Sequence, residues 1–487
     1  MKREKELAMM VNILVIVLVL IGVGIASLVL PKPSYSQHER RELASMPEFS
    51  VEALLSGSYT RNLDAHYADT FPQRESLVKL GGYLEEFRGL RLDDVRIHGT
   101  VPGQDDPEES SSSSESVSQS QTGDSSGGAG ETSGSGLSSS SSEPYVAPPT
   151  VDDGAVGETV NSIFVYKGMA LQLFGGNQRE AQRYAGVINR YQELLGDRAT
   201  IYNMVIPSHI EFVLPERYKK LTAPERPNID LIYSTLNEGI KRVDAYSAIG
   251  RHMEEYLYFN TDHHWTGKGA YYAYTAFAGQ AGFDPLPYDS YEKGRIDNFL
   301  GTLYSKTQDV KLGQNPDYLE YCKIPVEHTA WRYEKNAAFT PVETTVLAEY
   351  ATGINSYGVY FHGDQPLFRI KTGNANGRKI LVIKESYGNA FAPYLIPHYE
   401  EVLVADERYC QRNILKLIEE FGINELCFVN NIFAANTSYH INNLEKLLTQ
   451  PDPNYSLPPS SSSSSGSSSE NGSQPDPASQ GEEETEE

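Results

Sequence analysis

Ile380–Phe391 reads ILVIKESYGNAF. Four apolar residues in a row, Ile380 to Ile383, suit a strand buried on both faces of a sheet. The run stops at Lys384-Glu385-Ser386, and a helix is expected to begin directly after it. Ligands and nucleophiles of open α/β sheets gather beyond the carboxyl ends of the strands. Ser386 stands at such an end. There it meets helix N-terminal N–H groups, which stabilise an oxyanion. The commoner role of a Ser in that place is to cap the helix, and spacing alone does not choose between the two.

The flanking sequence repeats the strand-and-helix alternation. Apolar runs at Ser162–Tyr166, Ala199–Ile206, Lys379–Ile383, Glu401–Val404 and Glu425–Val429 read as strands. Arg242–Asp244 reads as a short one. Asn177–Leu195, Asn228–Ile240 and Gly267–Gly279 carry helical spacing. This order predicts an α/β fold, a three-layer sandwich with a mostly parallel sheet. Gly301–Gly373 is less regular and reads as a β-rich excursion or lid. Upstream, Leu63, Tyr67 and Phe71 share one helix face. Leu77, Leu80, Leu84 and Phe87 share another, with Pro72 between them. Asp94–His98 reads as a further short strand.

The 487 residues carry a net charge of -24. Gln104–Pro149 and Pro451–Glu487 are rich in Ser, Gly, Pro and acids, and neither contains Lys or Arg. Each holds 8 acidic residues, which leaves 41 basic and 49 acidic residues elsewhere, a net of -8. Such tracts cannot bury enough apolar area to fold. The remainder has an ordinary surface and no basic excess, so no nucleic-acid partner is expected. Three cysteines exclude a disulfide scaffold and a CxxC metal site.

Leu7–Leu30 holds 24 residues without a charge, enough to span a bilayer core. A cleaved signal peptide would have a shorter apolar run and a small-residue cleavage site. Here the run meets Pro31-Lys32-Pro33, so an uncleaved anchor is expected. Lys2, Arg3 and Lys5 place residues 1–6 in the cytoplasm and the rest outside. The expected organisation is an anchor at 7–30 and a helical part at 31–103. A Ser-rich insertion at 104–150, an α/β domain at 151–450 and an acidic tail at 451–487 follow.

Thr261-Asp262-His263-His264-Trp265-Thr266 is the second constellation. On a strand, Asp262 and His264 would share a face. A carboxylate beside an imidazole holds its tautomer and stabilises the imidazolium. Thr266 is placed to cap the helix that follows. The same residues also admit a purely structural polar cluster. They admit a metal site as well, but the ligand number and spacing of known zinc sites are lacking, so no metal or cofactor is expected. A third feature is Asn430-Asn431 at the end of the strand Glu425–Val429. Either amide can reach the same edge as an oxyanion donor, although Asn is also a common turn residue.

TDHHWT, with GTLYSK at Gly301–Lys306 and VIKESYGNAF at Val382–Phe391, resembles the DHHW protein family. That family resembles the SGNH-like alginate O-acetyltransferases of the AlgJ and AlgX type, whose catalytic motifs are circularly permuted. The order here, Asp262-x-His264 before Ser386, matches the permuted one. The resemblance implies Ser386 as nucleophile, His264 as general base and Asp262 as its orienting acid. It implies Asn430 or Asn431, with the Ser386 N–H, as oxyanion donors. Trp265, Tyr304, Lys306 and Arg408, in or beside these motifs, are read as substrate-binding. Two departures stand out. Lys384-Glu385-Ser386 replaces Gly-Asp-Ser, and no glycine block follows the strand Glu401–Val404.

The resemblance further implies an extracytoplasmic, membrane-anchored acyltransferase. Its acceptor would be a polysaccharide, and a multi-span membrane acyltransferase would supply acyl groups. An esterase using the same residues, a non-catalytic polysaccharide-binding or scaffold protein, and a DHH-type metal phosphoesterase are the rival readings.

Overall fold

The structure is a computed structural model. It describes residues 41–55, 57–74, 76–77, 158–160, 162–334 and 340–452, with isolated positions 14, 17, 21, 22, 24, 32, 35, 36 and 145. The expected anchor, strand 94–98, insertion and tail therefore lie almost wholly outside the described residues. Among the described residues, no helix is long and apolar enough to cross a membrane.

An eight-stranded sheet forms the centre. Its strands are β1 (Thr200–Ile206), β2 (Lys241–Arg242), β3 (His328–Tyr333), β4 (Pro341–Thr344), β5 (Leu367–Thr372), β6 (Lys379–Lys384), β7 (Glu401–Asp406) and β8 (Glu425–Asn431). Their spatial order is β4-β3-β5-β7-β6-β8-β1-β2. From β7 to β2 every pair is parallel. The pairs β4-β3, β3-β5 and β5-β7 are antiparallel. The expected mostly parallel sheet thus carries an antiparallel wing, which Gly301–Gly373 largely supplies. Ser162–Tyr166 does not join it. Ile163–Tyr166 sits instead in a separate antiparallel sheet with Glu158–Val160 and Met169–Gln172.

Helices cover both faces of the parallel strands. Register partners lie on one face, so Phe428 sides with Asn203 and Cys427 with Tyr202. Tyr191 of the helix Gln178–Leu195 meets Phe428 at 4.8 Å between ring centroids. Phe277 of the helix Gly267–Ala281 meets Tyr202 on the other face at 4.9 Å. Burial on both faces explains why β6 and β8 read as unbroken apolar runs.

Local signals set the ends of these helices. Asn177 accepts the Glu180 N–H and Thr266 accepts the Gly269 N–H, each satisfying a donor that the first turn leaves unpaired. Gly282 closes the second helix in the left-handed conformation at φ 76°. The helix expected at Asn228–Ile240 runs instead over Glu225–Thr235. Pro227 falls in its first turn, where the missing N–H costs nothing.

Upstream, the helix Ser58–Asp69 stops before Pro72, as its spacing suggests. At the far end of the Ser-rich insertion, the Tyr145 N–H donates to Ser247 Oγ at 3.3 Å. Its ring covers Gly250, where a β-carbon would stand 2.3 Å from a ring atom.

Candidate active site

Ser386 lies two residues beyond β6, at the carboxyl edge of the sheet. The helix after it, Gly388–Phe391, is one turn long and tightens into a 3-10 turn at Ala392–His398. No side chain caps that helix. The Ser386 hydroxyl faces His264 instead, with Oγ 2.7 Å from Nε2. The other ring nitrogen, Nδ1, is 2.5 Å from Asp262 Oδ1. Asp262 takes the Nδ1 proton, which leaves Nε2 as the acceptor for the Ser386 hydroxyl. All three side chains are buried.

Asp262 and His264 meet by a different route from strand alternation. Residues 260–264 form a bend, and the His264 N–H donates to Asp262 Oδ1 at 3.0 Å. This Asx-type turn folds the imidazole back over the carboxylate of its own segment. The second carboxylate oxygen accepts the Thr302 N–H at 2.7 Å and its hydroxyl at 2.9 Å. Burial pushes the Asp262 carboxyl up. His264 and His263 alongside it, with the bonds from His264 and Thr302, outweigh that and hold it well below the usual carboxylate range.

Three ties lock the two segments together. Trp265 Nε1–H donates to the Tyr387 carbonyl at 3.0 Å, and the Tyr387 hydroxyl donates to the His263 carbonyl. The third is the His264–Ser386 bond itself. Glu385 secures the serine from behind, since its carboxylate accepts the Asn431 N–H at 3.0 Å and the Tyr387 N–H at 3.2 Å. Asp262, His263 and His264 bring three ligand-type atoms within 4.8 Å of one another. Both nitrogens of His264 are already committed, which does not suit a metal ligand.

The other residues singled out in the sequence separate. Asn430 lies on the face under the helix Gln178–Leu195. Its Oδ1 accepts from the Tyr184 hydroxyl and its Nδ2 donates to Glu407. It has no donor left for an oxyanion. Asn431 lines a cavity of about 20 Å³, beside Asp262, His263, Tyr387 and His209. That is room for one water molecule. Burial lowers the His209 imidazole to about 4, so it is neutral.

Trp265 is fully buried and Tyr304 packs against Leu303, Leu312 and the small sheet. Neither ring is available to a substrate, which corrects the sequence reading of both. Lys306 is exposed on the short helix Thr302–Thr307. Arg408 is paired with Asp406 and with Asp364, in each case at 2.9 Å or less.

Lys384, in the place of a small residue, is buried and paired with Asp406 at 2.6 Å. Its stem occupies the space beside Gly388, where a β-carbon would come within 2.4 Å of it. The site also contains a side chain that no motif marked. Tyr357, in the 3-10 turn Gly353–Val359, lies flat against the His264 ring.

A sequence profile of the DHHW protein family matches residues 39–405, a span that includes Asp262, His264 and Ser386. Among solved structures, a DHHW family protein from Eubacterium siraeum is 31% identical over 61% of this chain and 98% of its own, with a TM-score of 0.56. Bacillus cereus PatB1 bearing a sulfonyl adduct is 18% identical over 57% and 98%, with a TM-score of 0.47. The O-acetyltransferase domain of Pseudomonas putida AlgJ is 11% identical over 58% and 96%, with a TM-score of 0.34. No curated protein matches the chain.

Proposed function

This chain belongs to the DHHW protein family, and we propose that it is an extracytoplasmic O-acyltransferase in which Ser386 carries the acyl group. The observation that carries the reading is the hydrogen-bonded row Asp262–His264–Ser386, buried at the carboxyl edge of a parallel sheet. Nucleophile, base and orienting acid stand within hydrogen-bond reach of one another, the arrangement that activates a weak hydroxyl nucleophile.

In the first half-reaction, Ser386 Oγ attacks the acyl carbonyl carbon and its proton passes to His264 Nε2. The tetrahedral oxyanion collapses, and His264 returns that proton to the departing group. In the second, a sugar hydroxyl gives its proton to His264 as its oxygen attacks the acyl-serine. Collapse then restores the Ser386 hydroxyl. Asp262 holds the Nδ1 proton throughout. The Ser386 N–H and the Asn431 side-chain amide are the proposed oxyanion donors, and Lys306 and Arg408 the proposed substrate contacts.

The family resemblance makes acetyl the proposed acyl group and a cell-envelope or secreted polysaccharide the acceptor. The apolar run 7–30 is proposed as the single membrane anchor, with the α/β domain outside. Acetyl-CoA pools are cytoplasmic, so a multi-span membrane acyltransferase is the proposed donor partner. An esterase would use the same groups with water in place of the sugar, and the one-water cavity beside Asn431 favours keeping that second reading.

Incubating the full-length chain with an isotope-labelled acetyl ester, with and without an oligosaccharide acceptor, separates the two. Label on the sugar at the expense of free acetate supports transfer. Free acetate alone, unaffected by acceptor, supports the esterase.

A further inference from the structure

We propose that Tyr357 is a positioning residue that couples the base to the nucleophile. The inference rests on the acyl-transfer reading above and adds a part that neither the DHHW stretch nor the serine stretch contains.

Two contacts of one side chain carry it. The Tyr357 ring lies parallel to the His264 imidazole, with centroids 3.8 Å apart and planes 9° apart. Its hydroxyl donates to the Ser386 carbonyl at 3.1 Å. His263 covers His264 as well, at 3.8 Å between centroids and 38° between planes. The imidazole is thus held between two rings, and its edge is tied to Asp262. Turning it about its own bond would carry Nε2 away from Ser386 Oγ. The flat contact with Tyr357 closes that path.

The second contact acts on the serine. The Ser386 carbonyl accepts from the Tyr357 hydroxyl and also from the Asn389 N–H at 3.2 Å. The N–H of the same peptide unit, on Tyr387, is held by Glu385 at 3.2 Å. The plane that follows the nucleophile is therefore fixed at both ends. Burial raises the Tyr357 hydroxyl well above its ordinary range, so it stays a donor.

The backbone that delivers Tyr357 is anchored on both sides of it. The Ala348 N–H donates to the Val359 carbonyl at 2.7 Å, and the Phe361 N–H to the Val346 carbonyl at 2.8 Å. Phe361 and His362 both adopt φ of 56°, a conformation that bulky residues rarely take. Beyond them Asp364 accepts from Asn389 Nδ2 at 2.9 Å. Strain of this kind persists where surrounding contacts over-determine the backbone, and here those contacts converge on the serine turn.

The test compares the full-length wild type with Tyr357→Phe and Tyr357→Leu. A fluorophosphonate probe gives the maximal labelling rate and the half-saturating concentration at Ser386. Phe keeps the ring and loses one neutral hydrogen bond, so its maximal rate should stay within about tenfold of wild type. Leu frees the imidazole, and its rate should fall about 100-fold, the scale of a misplaced reacting group. The half-saturating concentration should be unchanged in both. NMR supplies a readout free of chemistry. The His264 ring protons should be shifted upfield by the flat ring in wild type and Phe, and relaxed in Leu. A labelling wild type with equally fast Leu, or a Leu variant with unmoved His264 protons, overturns the role of Tyr357 alone. A folded wild type that does not label overturns the acyl-transfer reading and this role with it.

Discussion

Gly301 presses so closely on Asp262 that a β-carbon there would stand 2.2 Å from the Asp262 β-carbon. The first residue of the GTLYSK stretch is thus a glycine for a spatial reason. It lets the backbone approach the acid that orients His264, and the next residue, Thr302, donates twice to that acid.

Gly301→Ala should displace the Asp262 carboxylate and with it the Nδ1 bond. Acyl transfer should fall by about 100-fold, with about 1–3 kcal/mol of stability lost to overpacking. Kinetics with a small acetyl ester, beside thermal unfolding, measure the two separately. Unaltered activity would mean that the acid needs no such close support.

Asn430 and Asn431 should behave differently although they are adjacent. Asn431→Ala removes the proposed oxyanion donor and should lower kcat by about 100- to 1,000-fold. Asn430→Ala leaves Tyr184 and Glu407 short of a partner. It should cost stability, about 1–3 kcal/mol, before it costs catalysis. Equal kinetic losses in two folded variants would contradict the assignment.

Trp265→Phe tests the correction made to that residue. A buried indole tied to the Tyr387 carbonyl should matter through stability, about 1–3 kcal/mol for the lost donor and volume. The acceptor KM should not change. A raised KM at unchanged melting temperature would return Trp265 to the substrate site.

The cluster behind the cleft gives a pH signature. Burial, with Glu211 beside it, raises the Glu225 carboxyl to about 8, while Ser208 donates to it. An acid raised on folding binds its proton more tightly in the native state. The native state therefore holds the extra proton above the unfolded carboxylate value, and stability declines as pH rises from about 4.3 toward 8. Glu225→Gln imitates the protonated form and should flatten that decline. Chemical unfolding of both chains at pH 5 and pH 8 measures it, and parallel slopes would exclude Glu225 as the source. Asp262 has the opposite sign. Its depressed carboxyl contributes stability that is present above about 3.9 and lost as pH falls through the lower native value.

The parts of this site that were legible in the sequence are the local ones. Asp262, His264 and the Thr266 cap lie within five residues, so a motif displays them together. Ser386 was legible from the end of an apolar run, although only the folded chain shows its hydroxyl turned to His264 rather than to a cap. Asn430 and Asn431 could not be separated, because the face each presents depends on where the helix Gln178–Leu195 packs. Trp265 and Tyr304 read as substrate contacts because aromatic residues beside a motif look available, and only burial decides otherwise. Lys384 read as an obstacle to close backbone approach, but its stem fits the bare side of Gly388 three residues past the strand. Tyr357 gave no sign at all. It sits in an irregular stretch with no periodicity, 29 residues before Ser386 in sequence, and reaches the site through tertiary packing. The antiparallel wing was hidden for a related reason, since its strands β3 and β4 lack the apolar continuity of β6 and β8.

The most direct test of the central claim is covalent labelling of the full-length chain by a fluorophosphonate, beside Ser386→Ala and His264→Ala. The account predicts a single adduct on Ser386 in the wild type, located by peptide mass spectrometry. It predicts none in Ser386→Ala and labelling slowed by at least about 1,000-fold in His264→Ala. A folded wild type that takes no label from the probe or from a small acetyl ester would contradict it, as would labelling at Ser386 that does not depend on His264.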